Sequence, residues 1–242
     1  MSNPDKIASP LPRPRATVAM GFVQGMLAGV TARGGDAGPL LERAGIGREV
    51  LHRPDVRVPV ERYAALYNLL IAELGDEGFA LFSTPLPPGT FEFLCRSVIS
   101  APTLGEALQR STRFLGLVLH DLSVHLESGS AGQALLRIRE ERPLAVGRVF
   151  AFEWLLRLLH GLASWLAGRS IVLERVQFPY PRPAHADDYA LIYTAQSDFA
   201  ADSLAASFSA TLLDLPIRRD EAALASFLEG SPGKITTLYR RD

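Results

Sequence analysis

The chain has 242 residues, 48% hydrophobic and 21% charged, with 25 basic side chains against 26 acidic ones. That size and apolar content bury a sizeable core and exclude a disordered or fibrous chain. The formal net charge of −1 leaves no basic excess for a phosphate backbone. The lone cysteine, Cys95, excludes an intrachain disulfide and a cysteine metal cage, and it points to a reducing, cytoplasmic setting.

Residues 1–15 carry Pro4, Pro10, Pro12 and Pro14 without a long apolar run, and they read as a flexible tail rather than a secretory signal. Residues 16–33, apolar with scattered small side chains, predict a first helix ended by Gly34 and Gly35. Asp36 caps a short second helix through Leu40, Leu41 and Ala44, closed by Gly45. Pro59 opens a stronger helix in which Tyr63, Leu66, Tyr67 and Leu70 recur at helical spacing. After a loop of Pro85, Pro87, Pro88 and Gly89, Thr90 caps a helix bearing Phe91, Leu94, Cys95 and Val98. Thr103 and Glu106 fit a capping box, followed by an apolar face of Leu104, Ala107, Leu108, Phe114 and Leu115.

The period then changes to two. Val118, His120, Leu122, Val124 and Leu126 alternate with Leu119, Asp121, Ser123 and His125, which predicts a half-buried strand over 118–126. A Ser-Gly-Ser-Ala-Gly turn over 128–132 and a strand with Leu135, Leu136 and Ile138 complete a hairpin. Residues 143–167 return to helix, apolar almost all round and therefore buried. Its polar residues, Glu153, Arg157, His160 and Ser164, form one stripe. The same charges interrupt the run, so no stretch reaches the roughly 18 apolar residues of a membrane span. Strands over Ile171–Phe178 and Ser203–Phe208 follow, separated by a Pro-rich loop and a short helix around Tyr189. A helix over Arg219–Leu228 comes next, and Ser231 caps a last one in which Ile235, Leu238 and Tyr239 begin an apolar stripe. The sum is an α+β fold: a helix-rich single domain over 16–230 with a small antiparallel sheet of about four strands.

Motifs of catalysis are absent. Gly45-Ile46-Gly47 lacks the third glycine of a dinucleotide turn, and the 128–132 turn lacks the first glycine of a nucleophile elbow. His120 and His125 lie an odd number of residues apart, so on one strand they cannot share a metal. No catalytic residue, metal or cofactor is assigned.

An ordered set of short stretches resembles one family. It comprises Leu40-Leu41-Glu42-Arg43-Ala44-Gly45-Ile46, Val58-Pro59 with Tyr63, Leu74-Gly75-Asp76-Glu77 and Pro88-Gly89-Thr90-Phe91. It continues with Ala101-Pro102-Thr103-Leu104-Gly105-Glu106-Ala107-Leu108, Arg113-Phe114, Val176-Gln177-Phe178-Pro179-Tyr180-Pro181, Tyr189 with Phe199, and Leu212-Leu213-Asp214-Leu215-Pro216. In order and spacing, over about residues 20–238, this is similar to the N-terminal effector domain of AraC-type bacterial transcription regulators. The subgroup is the arabinose-binding-like one that includes ornithine-utilisation regulators. The resemblance implies a small-molecule sensor that forms a homodimer and meets DNA only through a C-terminal helix-turn-helix domain, with residues 231–242 the start of the linker toward it. Alternatives are a small enzyme with an unrecognised site and a dimerisation scaffold without ligand.

Four residues stand out as ligand-binding candidates: His120, Trp154, Arg157 and Arg113. His120 shares its strand face with Val118, Leu122 and Val124 and is expected to point inward, either as a core histidine bonded to a carbonyl or into a cavity. Glu153 and Arg157, four apart, fit an intrahelical ion pair on a solvated stripe or a stripe facing a cavity, where Arg157 takes an anionic group. Trp154 and Trp165 share a helix face and suit the core or a stacking platform. Arg113, beside Phe114, also suits the surface. The expected pocket lies between the 118–126 strand and the 149–166 helix. It suits a carboxylate-bearing or polar-headed metabolite better than a sugar, because a sugar wants many polar contacts.

Overall fold

A computed structural model describes residues 16–130 and 132–238. Tyr239, the last residue of the expected C-terminal stripe, and the tail over 1–15 lie outside them.

The first expected helix begins later than its composition suggests. Thr17–Ala19 is a strand, β1, antiparallel to β2 (Arg57–Pro59), and α1 runs over Met20–Ala32. Asp188 locks this ribbon in place. Its carboxylate accepts Ala19 N–H at 2.9 Å and both terminal nitrogens of Arg57 at 2.8 and 3.0 Å. Next come α2 (Gly38–Arg43) and α3 (Val60–Leu74), which ends at Gly75 in the left-handed conformation glycine favours. Asp36 serves its expected end of α2 by accepting Gly38 N–H at 2.8 Å.

The loop after α3 is organised by two buried carboxylates. Asp76 accepts the backbone N–H groups of Gly78, Ala80 and Leu86 at 2.7–2.9 Å. Glu77 accepts those of Gly89 and Phe91, each at 2.7 Å, at the start of α4 (Thr90–Val98). Burial raises the Glu77 carboxyl above its ordinary range, opposed by those two amides. Thr90 is therefore not the cap. Its hydroxyl donates to Pro87 O, and Glu77 satisfies the helix start. Thr103 does cap α5 (Leu104–Val118), accepting Glu106 N–H at 3.3 Å.

The hairpin pairs β3 (Leu122–Ser128) with β4 (Gln133–Glu140), Val124 opposite Ile138. Then come α6 (Arg148–Ala167), β5 (Arg175–Gln177), α7 (Tyr189–Ile192), β6 (Ser197–Asp198), β7 (Leu204–Ser209) and α8 (Glu221–Leu228). The main sheet has five strands in the order β3-β4-β7-β5-β6, antiparallel except for the β5–β6 pair. The expected count was about four. β1, β2 and β6 are two or three residues long, too short for alternation to register.

Helix α6 is the centre of the molecule. It turns Leu156, Leu159 and Ala163 to Leu136, Ala206 and Phe208 of the sheet. Its other side meets α1 and α3. Among the described residues it is the helix long and apolar enough to cross a membrane, and 94% of its apolar window is buried inside the fold. The expected solvated stripe is corrected here. Glu153, Arg157, His160 and Ser164 are all buried. His160 Nε2 lies 2.7 Å from Ile171 O, and Ser164 Oγ accepts Ile171 N–H at 3.1 Å, so half the stripe holds the chain after α6.

Candidate functional site

The other half of that stripe faces a cavity. From α6 come Phe150, Glu153, Trp154, Arg157 and Leu158, while Tyr63 and Tyr67 project from α3. Val18 and Phe22 close one side, and Ile192 and Tyr193 another. Pro232, Ile235 and Thr236, around the 3-10 turn Gly233–Thr237, complete the lining. The envelope is about 570 Å³, counting its opening to solvent.

Glu153 is 2% exposed. Its Oε1 accepts the Tyr189 hydroxyl, which in turn receives the Tyr180 hydroxyl at 3.1 Å, and His185 Nε2 lies 2.6 Å from the same oxygen. Tyr193 donates to the Glu153 backbone carbonyl at 2.9 Å. The other carboxylate oxygen, Oε2, is buried without a hydrogen-bond partner among the described residues. Burial, and next the Glu153 charge, push the hydroxyls of Tyr63, Tyr180, Tyr189 and Tyr193 far above their ordinary ionisation range, so all four stay neutral donors.

Arg157, one helical turn on, is 8% exposed. Its Nη2 donates to Ile235 O at 2.9 Å and to Leu238 O. Trp154 spends its indole N–H on the Tyr67 hydroxyl at 2.6 Å. Phe79, at a positive φ of 57°, packs edge-on to Tyr67 and Trp154, with ring centroids 4.7 and 6.3 Å away. The aromatic wall is thus fixed by hydrogen bonding from within and packing from behind.

The structure brings Trp154 and Arg157 together and leaves His120 and Arg113 elsewhere. Those two are exposed and line an open surface groove with Ser123, His125 and Glu141. The inward orientation expected of His120 is corrected. Helix α5 continues through Val118, Leu119 closes it by donating to Leu115 O, and β3 starts only at Leu122. Alternation of side chains does not extend back across a helix end. The cavity accordingly lies on the helix side of α6 rather than between α6 and β3. Trp165 is part of the core, stacked on Phe227 at 4.2 Å. Cys95 is fully buried and burial raises its thiol pKa, so it presents no thiolate.

Sequence reading missed His185, Tyr189, Tyr193 and the closing segment after Gly230. One signal was available: a glutamate in the middle of an otherwise apolar helix demands buried partners. Its partners lie 32 to 40 positions away, at no readable spacing.

Comparison with known proteins places these features in context. Residues 34–217 match the family described as the arabinose-binding domain of AraC transcription regulators, N-terminal. An ornithine utilization regulator of Pseudomonas aeruginosa is 30% identical over 186 residues, which is 75% of this chain and 54% of that protein. The chain thus spans about half the length of that curated relative. The solved transcriptional regulator CdpR from Pseudomonas aeruginosa aligns over 90% of this chain and 65% of its own, at 15% identity and a TM-score of 0.41.

Proposed function

This chain belongs to the family of arabinose-binding N-terminal domains of AraC transcription regulators, and from that premise we propose that it binds a small effector in the cavity beneath α6. Occupancy then biases the segment over 230–238, and through it a DNA-contacting part of a longer regulator. One observation carries the reading. A largely aromatic cavity holds two buried charged side chains and is closed by the C-terminal segment, which one of those side chains grips. An apolar pocket with a few fixed polar groups is how proteins recognise small molecules. Coupling requires that ligand and segment share a contact, and Arg157 supplies it. Five lining residues, Val18, Phe22, Pro232, Ile235 and Thr236, lie outside the matched stretch of 34–217. The body of the family domain is therefore completed by its flanks. The matched proteins are transcription regulators, and the role assigned to the cavity is binding, not turnover.

Trp154 provides the test. The chain has two tryptophans, so Trp165→Phe leaves Trp154 as the only indole emitter while keeping a ring against Phe227. A library of sugars, amino acids, amines and carboxylic acids is titrated into that variant. A saturable change in emission from at least one compound, lost when Thr236→Phe blocks the mouth, is the expected result. No saturable response from any compound overturns the proposal.

A further inference from the structure

We propose that the ligand of this cavity is a small amino acid bound as its zwitterion, with its ammonium group on Glu153 and its carboxylate on Arg157. This rests on the reading of the cavity as an effector site.

Among the described residues, Glu153 Oε2 is a buried acceptor without a hydrogen-bond partner. An ionised carboxylate has about four lone-pair sites, and an acceptor left unsatisfied inside a protein is costly. Three donors around it serve other oxygens: Tyr189 and His185 serve Oε1, and Tyr193 serves the backbone carbonyl. A donor brought by a ligand fills the place, and an ammonium group supplies three N–H donors together with the opposite charge.

Arg157 decides what else the ligand carries. It sits four residues on from Glu153 and lines the same cavity, which sets the two side chains about 5–6 Å apart at Cβ. A bare amine on Glu153 meets the positive guanidinium. A bare acid on Arg157 meets the negative carboxylate. A molecule with both groups one or two bonds apart opposes each charge with its opposite. A neutral sugar answers neither charge, and the rings of Phe22, Tyr67 and Trp154 offer few partners for its hydroxyls. Size agrees. The envelope of about 570 Å³, counting its opening to solvent, leaves room for a small amino acid with its charged head at Glu153 and Arg157 and its side chain toward Ile235 and Thr236. The ligand carboxylate then competes with the carbonyls of Ile235 and Leu238 for Arg157.

The experiment is calorimetric titration of the whole chain with each of the twenty standard amino acids. At least one is expected to bind. Its decarboxylated amine and its des-amino acid, each lacking one charge, are expected to bind at least tenfold more weakly. Glu153→Gln is expected to weaken the amino acid at least tenfold. Because that variant disturbs a buried network, Thr236→Phe serves as a second block, and the analogue series on the unaltered chain decides the matter even if Glu153→Gln fails to fold. Binding by no amino acid overturns the proposal, as does equal affinity for either analogue, or full affinity in a folded Glu153→Gln or Thr236→Phe. If a sugar or other non-zwitterion alters Trp154 emission while no amino acid binds, the zwitterion falls and the effector site stands. If nothing binds, both fall.

Discussion

Gly21 lies on α1 where a Cβ atom would overlap the His185 ring, 2.7 Å from its Cγ and closer still to Nδ1. The missing methyl lets His185 reach Glu153, packed against Phe22 with ring centroids 4.5 Å apart. Two effects oppose each other in Gly21→Ala. Alanine favours the helix by up to about 1 kcal/mol, while overpacking this half-buried site costs about 1–3 kcal/mol and displaces a donor from Glu153. The second is expected to win, lowering stability in urea denaturation. Gly116→Ala on α5 is the control, because an added Cβ would meet nothing within 4 Å and only the helix preference applies. A rise of about 0.5–1 kcal/mol is expected there. A rise in both variants would show that His185 does not need the space at Gly21.

At the level of elements, the segment after Gly230 lines the cavity and is its proposed gate. Asn68 on α3 holds it from both sides, donating to Gly230 O at 2.8 Å and accepting Gly233 N–H at 2.9 Å. Gly161 on α6 leaves room for Ile235, since an added Cβ would sit 2.8 Å from its Cγ2. Asn68→Ala removes both bonds, a loss of about 1–3 kcal/mol felt first by the segment itself. The expected outcome is faster amide exchange over 233–238 and stronger acrylamide quenching of Trp154 in the Trp165→Phe background. Unchanged quenching would mean that Asn68 does not hold the mouth shut. None of this pairing was legible in the sequence, because Asn68 and Gly233 are 165 positions apart. Helix α6 and the hairpin were legible, since long apolar runs and strict alternation have little competition from other structures. The start of β3 was misplaced by the same logic, because Val118 fits a helical face and a strand face equally well. Trp154 and Arg157 were singled out because polar atoms on an apolar helix require an explanation. His120 was misdirected because its face was inferred from a strand that had not yet begun.

For the whole molecule, what remains at issue is how one copy meets another. An apolar helix such as α6 is an obvious place to look for a pairing surface, but α6 is consumed inside a single copy, with its faces taken by the sheet, α1 and α3. Among the described residues, the large apolar side chains left on the surface are Phe93 on α4, Leu117 on α5 and Val172, at 64%, 76% and 59% exposure. The reason to expect pairing is therefore functional. Regulators that read two half-sites on DNA match that spacing by being dimers, and residues 34–217 match a domain family of transcription regulators. The expected outcome is a homodimer of this chain, seen in multi-angle light scattering as twice the 26.3 kDa chain mass. The mass should fall toward one chain on dilution, because only these three large apolar side chains are exposed among the described residues. Trp165→Phe and Glu153→Gln, both inside a single copy, should leave the dimer intact if they fold. A mass of 26.3 kDa held across a micromolar concentration series would count against pairing through this domain and would move the dimer contact to another part of the regulator.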